Sequence, residues 1–260
     1  SWTWAQVHDE VRRFAIGLSR LGLLRGDTVA IVGDNRPRLY WAQAAIQSLG
    51  AIPVPVYQDA VADEMSFVLA HAGVKMAIVE NQEQVDKLQG IADRVGTIER
   101  IIQFLASVYS PDIIYDMPRG LKEYDHERLR TIDDVQKLGD EDLAAQANMA
   151  AVWRAEVLRG QPDDVAAMLY TSGTTGNPKG VVLTQGAMIR AAGIGIQIDH
   201  LDENDQVIAY LPLAWAGDHL LCYVQSFVTG YTVCCPESPA TVFEDRREIG
   251  PTYFFAPPRV

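Results

Sequence analysis

Apolar residues recur at helical spacing almost from the first position. Val7, Val11, Phe14, Ala15 and Leu18 fall on one face of Trp4 to Leu21, which predicts an amphipathic helix. A Gly26-Asp27 turn leads into the apolar run Thr28 to Val32, read as a strand. Arg36 to Leu49 returns to helical spacing, with Leu39, Ala42, Ala45, Ile46 and Leu49 apolar. Ile52 to Tyr57 reads as a strand that must lie near an edge or a bend, because Pro53 and Pro55 offer no ladder donors. Helix is then expected over Ala62 to Ala72, strand over Met76 to Val79, and helix over Gln82 to Val95. Ile98 to Phe104 and Ile113 to Tyr115 are further strand candidates. Alternating strand and helix predicts an α/β fold, mainly parallel sheets flanked by helices.

Residues 119 to 164 break this rhythm. They are charged, and Asp133 to Leu158 reads as helices joined by loops. Asp133-Asp134 and Asp140-Glu141-Asp142 fit a solvated face and helix N-terminal charge, not a chemical site. Strand character resumes at Val165. Helices are expected over Gly186 to Ile198, Asp218 to Val228 and Thr241 to Ile249. Strands are expected over Val207 to Leu211, Tyr231 to Cys235 and Thr252 to Phe255. The 260 residues suffice for one large domain or two lobes, drawn here as 1–185 and 186–260.

Charge narrows the partners. Lys and Arg total 22 against 34 Asp and Glu, a net −12, which disfavours nucleic acid and anionic membrane. It leaves room for a nucleotide, which needs only a local positive site. No apolar run reaches the length of about 18 residues that a membrane-spanning helix requires. Ser1-Trp2-Thr3-Trp4 has neither the basic nor the apolar region of a secretory signal. Cys222, Cys234 and Cys235 match no zinc spacing and read as reduced core thiols, consistent with a cytoplasmic location. No metal-ligand cluster is read from the sequence.

The candidate chemistry sits between two apolar runs, Val165 to Leu169 and Val181 to Leu183. The string between them, Tyr170 to Gly180, reads YTSGTTGNPKG. Glycines let backbone approach a ligand, successive N–H groups form an anion nest, and Lys179 adds full positive charge, so phosphate is the natural guest. The Walker spacing GxxxxGK[ST] is not met: Pro178 stands where its second glycine belongs, and Gly180 follows the lysine. GxGxxG is absent around residue 173, and Gly193-Ile194-Gly195 is a lone GxG in an apolar helical run.

TSGTTGNPKG resembles the phosphate loop of the adenylate-forming superfamily, matching [ST]-[ST]-G-[ST]-T-G-x-P-K-G at every fixed position. That superfamily includes acyl-CoA synthetases, peptide-synthetase adenylation domains and luciferases. The resemblance extends along the chain. Gly26 to Ile31 with Asn35-Arg36-Pro37, and Gly50 to Tyr57, look like the opening of the family's large N-terminal domain. Asp116-Met117-Pro118-Arg119-Gly120-Leu121 is similar to a segment of bacterial long-chain acyl-CoA synthetases, and Tyr210 to Trp215 looks like the second core motif.

The resemblance implies the acyl-CoA synthetase-like fold and an acid–thiol ligase. A carboxylate, expected to be a long-chain fatty acid, attacks the α-phosphate of ATP, and coenzyme A then takes the acyl group. It implies that Thr171, Ser172, Gly173, Thr174, Thr175 and Gly176 wrap the β- and γ-phosphates, with Lys179 and Gly180 completing the loop. Lys179 would balance charge on departing pyrophosphate. It places Trp215 at the acyl pocket, where many relatives carry histidine, with Gly217, Asp218 and His219 close by. The alternative is that Trp215 packs in the core and Asp218 caps the next helix.

The family's aromatic-Gly-x-Thr-Glu segment, whose glutamate helps hold Mg²⁺, its ribose-binding aspartate and its C-terminal lid are not found in these residues. The expectation is therefore a truncated N-terminal domain, inactive alone, from a ligase using ATP, Mg²⁺ and CoA. Self-association is left open. The competing reading is a non-catalytic nucleotide- or partner-binding module on a degenerate ligase fold. The apolar strand expected over Thr252 to Phe255, left as the last element, favours the first, since a free-standing module should cover its last strand.

Overall fold

The structure, a computed structural model, describes residues 1–95, 98, 100–103, 129–171 and 177–256. The expected strand Ile113 to Tyr115, the segment Asp116 to Leu121, and the loop residues Ser172, Gly173, Thr174, Thr175 and Gly176 lie outside the described residues.

A parallel sheet of five strands dominates. Its strands are β1 (Thr28–Val32), β2 (Ile52–Val56), β3 (Met76–Val79), β4 (Arg100–Gln103) and β5 (Leu129–Thr131), in the order β2-β1-β3-β4-β5. β2 is an edge, as its prolines require. Ile52 N donates to Asp27 O at 2.8 Å, so the even-numbered residues point their N–H groups at β1. The nitrogens of Pro53 and Pro55 consequently face away from β1, where no ladder bond to it is lost. β5, only three residues long, carries no apolar run and was not anticipated.

Strand residues divide between the sheet faces with period two. Val29, Ile31, Met76 and Ile78 join one core with α1 (Trp4–Arg20) and α2 (Pro37–Ser48). Ala30, Val32, Ala77 and Val79 join the other with α3 (Ala62–His71) and α4 (Gln82–Val95). Burial on both faces explains why these strands read as unbroken apolar runs. The first core continues past the sheet into Val207, Leu213, Cys222 and Tyr231.

α1 begins at a capping box in which Thr3 and Gln6 satisfy each other's backbone N–H. It lies against α5 (Ile132–Ala145) at backbone distance. A Cβ on Gly17 would stand 1.9 Å from the Val135 carbonyl oxygen, and one on Gly139 the same distance from that of Arg13. The charged region expected to be helical is α5 and α6 (Met149–Val157).

β6 (Val165–Thr171) and β7 (Lys179–Thr184) form an antiparallel hairpin. The hairpin sits beside the β2 edge, and Gln47 Nε2 of α2 donates to the Ala166 carbonyl at 2.7 Å. α7 (Gln185–Asp199) follows, capped by Thr184. β8 (Gln206–Ile208) and β9 (Thr232–Cys234) pair in parallel.

The expected helix from Asp218 is instead three pieces: the turn α8 (Ala216–Asp218), a π-helical segment His219–Val224, and α9 (Gln225–Thr229). π-helical turns are rare and concentrate at functional sites. α10 (Val242–Ile249) is the last helix among the described residues, and the expected final strand reduces to one bridge between Val207 and Tyr253. Cys234 and Cys235 are half-buried, not the fully buried pair expected; the three thiols are free. Among the described residues no helix is long and apolar enough to cross a membrane.

Candidate nucleotide and acyl site

The hairpin presents the ends of the phosphate-loop string. Thr171, last in β6, stands opposite Lys179, first in β7, so the strands hold the two loop ends together. Both residues are exposed, and Lys179 makes no ion pair among the described residues. Beneath them Tyr170 pairs with Gly180, whose missing Cβ would stand 3.1 Å from the Tyr170 ring. The Tyr170 hydroxyl lies 2.7 Å from His71 Nδ1 of α3. Burial raises the Tyr170 pKa, so the hydroxyl keeps its proton and can donate it to the imidazole.

The second site segment runs from Ala209 to His219. Tyr210 stacks on Phe254 with ring centroids 5.3 Å apart, and Arg246 covers that Phe254 ring at 4.7 Å. Trp215 is half-buried. It leans on Phe255 at 5.7 Å and lies across Gly217, where a Cβ would come within 1.9 Å of the indole. Glycine at 217 is thus a condition for this indole position.

Asp218 and His219 point inward and are buried among other side chains. Asp218 accepts from Tyr40 Oη at 2.7 Å and Asn35 Nδ2 at 3.3 Å, and it makes no cap bond to the following helix. Desolvation pushes its pKa up to about 7, against the pull of its hydrogen bonds from Tyr40, Cys222 and Asn35. His219 has Gln43 Nε2 3.3 Å from its Nδ1, and burial drives its pKa down to about 4. The structure therefore gathers Trp215, Gly217, Asp218 and His219 around one turn but divides them. Trp215 and Gly217 face the surface side, and Asp218 and His219 fix the turn from within.

A cavity of about 320 Å³ opens at the carboxyl ends of β1 and β2, against Tyr210, Pro212, Leu213 and Ala214. The strand order turns one strand over, between β1 and β3, where open α/β sheets form a ligand crevice. Here the crevice floor is occupied by a polar set. Glu80 accepts from Asp34 N at 2.6 Å and from Arg36 Nε at 2.8 Å, and Arg36 Nη1 donates to the Pro236 carbonyl at 2.7 Å. Gly33, at φ 155°, allows this: a Cβ there would meet Glu80 Cβ at 2.5 Å. Asn35, Tyr40 and His71 were not anticipated as site residues. Asn35 stands inside a recognised motif, but a buried amide that ties two distant segments leaves no local pattern.

The family model for AMP-binding enzymes matches residues 1–260. The chain belongs to the AMP-binding enzyme family. It is 30% identical to a long-chain-fatty-acid–CoA ligase of Rattus norvegicus, over 99% of this chain and 37% of that protein. It is 28% identical to fatty acyl-CoA synthetase A of Dictyostelium discoideum, over 94% of this chain and 34% of that protein. The chain thus spans about a third of the length of the curated relatives it matches. Its fold is that of solved adenylate-forming ligases. The anthranilate–CoA ligase AuaEII, solved with anthranoyl-AMP, superposes with a TM-score of 0.76 at 20% identity, over 97% of this chain and 44% of that one. The o-succinylbenzoate–CoA synthetase of Bacillus subtilis, solved with its acyl-adenylate, gives 0.67 at 20% identity, over 98% and 55%.

Proposed function

We propose that the full-length protein is an ATP-dependent acid–thiol ligase that adenylates a long-chain fatty acid and passes the acyl group to CoA, and that this chain supplies its phosphate loop and one wall of its acyl site. The observation carrying this is the complete TSGTTGNPKG sequence, whose residues Thr171 and exposed Lys179 are paired across the β6–β7 hairpin. The curated relatives, named as fatty acyl ligases over nearly the whole chain, support the substrate class.

In this reading Lys179 and the loop donors bind the phosphates of ATP and offset charge on pyrophosphate as the acid's carboxylate attacks the α-phosphorus. Such displacement asks the protein mainly to position groups and neutralise charge. Trp215, resting on Gly217, borders the acyl chain. Among the described residues no group of three or more His, Cys, Asp or Glu is arranged to hold a metal.

The test is acid-dependent ATP–pyrophosphate exchange by the full-length protein, with carboxylic acids from acetate to long-chain fatty acids. Exchange rising with chain length is expected. Exchange with no acid would remove the ligase reading, and exchange confined to short acids would remove the fatty-acid assignment.

A further inference from the structure

We infer that Asn35, together with Tyr40 and Asp218, is a positioning device that fixes the Ala209–Trp215 segment over the cavity. The segment leaves the β8–β9 ladder early. Ala209 N donates to Cys234 O at 2.8 Å, and beyond it the paired strands have ended. The next backbone anchor comes from a different part of the chain. Asn35 Nδ2 donates to the carbonyls of Ala209 at 3.0 Å and Leu211 at 2.6 Å. The same nitrogen lies 3.3 Å from Asp218 Oδ1, and Tyr40 Oη donates to Asp218 Oδ2 at 2.7 Å.

Residues 35–40 thereby hold the start of the segment through two carbonyls, and the helical turn that follows it through the Asp218 carboxylate. The stretch between carries Leu213 and Ala214, which wall the cavity, and Trp215. Asn35 and Asp218 are buried, with relative exposures of 7% and 1%. Replacing the amide would remove both of these bonds, leaving the Ala209 acceptor, whose bond is buried, without its partner. Two backbone carbonyls also fix which way the amide faces, since only its nitrogen can donate to them. Asn35 begins the turn into α2, so the position of that helix is transmitted to the segment beside Trp215.

The kinetic part of the test rests on the ligase reading; the exchange part does not. In the full-length protein, Asn35→Ala is expected to speed amide hydrogen exchange in peptides covering 209–216 about tenfold, with α5 unchanged. It is expected to raise KM for the carboxylic acid by a similar factor while leaving KM for ATP unchanged. Tyr40→Phe, which removes a single hydroxyl, should act in the same direction by about threefold and carries the test if Asn35→Ala does not fold. Unaltered exchange in 209–216, or a loss of activity that tracks only the folded fraction with both KM values unchanged, would overturn the proposal. Should the wild type adenylate no acid, the ligase reading falls, and hydrogen exchange alone decides this one.

Discussion

The Tyr170 hydroxyl meets His71 Nδ1 at 2.7 Å directly beneath the strand pair that carries the phosphate loop. The contact joins α3 to β6 one residue before Thr171, and the Tyr170 ring supports Gly180 on the other strand. Tyr170→Phe should therefore cost about 1 kcal/mol of stability, the usual net worth of one hydrogen bond. Chemical denaturation checks this, and an unchanged midpoint would show that the contact does not hold the hairpin.

Gly217→Ala is expected to displace the Trp215 indole, because the new methyl would occupy ring space. The predicted signature is a raised KM for the fatty acid, with KM for ATP little changed. Equal effects on both substrates would place Trp215 away from the acyl side.

Asp218 and His219 give opposing pH dependences. The folded-state pKa of Asp218, about 7, lies above the ordinary carboxylate value. Between about pH 4 and 7 the folded state binds the extra proton, so this residue's contribution to stability falls as pH rises. His219 is held neutral, with a folded pKa of about 4. The unfolded chain protonates it below about pH 6.5, so its contribution falls as pH drops from there toward 4. The two slopes offset each other in wild type. Asp218→Asn should leave stability rising with pH from about 4 to 6.5, measured as denaturation midpoints across that range. A flat profile would contradict the burial argument.

Gly17→Ala and Gly139→Ala should each destabilise by about 1–3 kcal/mol or more, because each new methyl meets a carbonyl oxygen across the α1–α5 contact. Thermal unfolding checks both, and a shift of a degree or less would mean that the helices separate without cost.

Most of this architecture was legible because burial imposes periodicity. Val29 to Val32 and Met76 to Val79 read as strands since both sheet faces are covered, and Phe14 and Leu18 repeat with the helix they anchor. What stayed hidden depends on long-range contact. β5 exists through pairing with β4, with no apolar run of its own. From its sequence context Asp218 reads as a helix cap or pocket residue, because nothing local signals that Tyr40 and Asn35 converge on it. The phosphate string was legible as chemistry because its glycines, hydroxyls and lysine are contiguous.

Lys179→Ala in the full-length protein tests the central claim most directly, measured as fatty-acid-dependent ATP–pyrophosphate exchange beside wild type. Wild type should exchange, and the variant should lose about 100-fold in rate, as expected when a group facing developing charge is removed. Exchange at the wild-type rate in the variant, or none in wild type with any acid, would contradict the account.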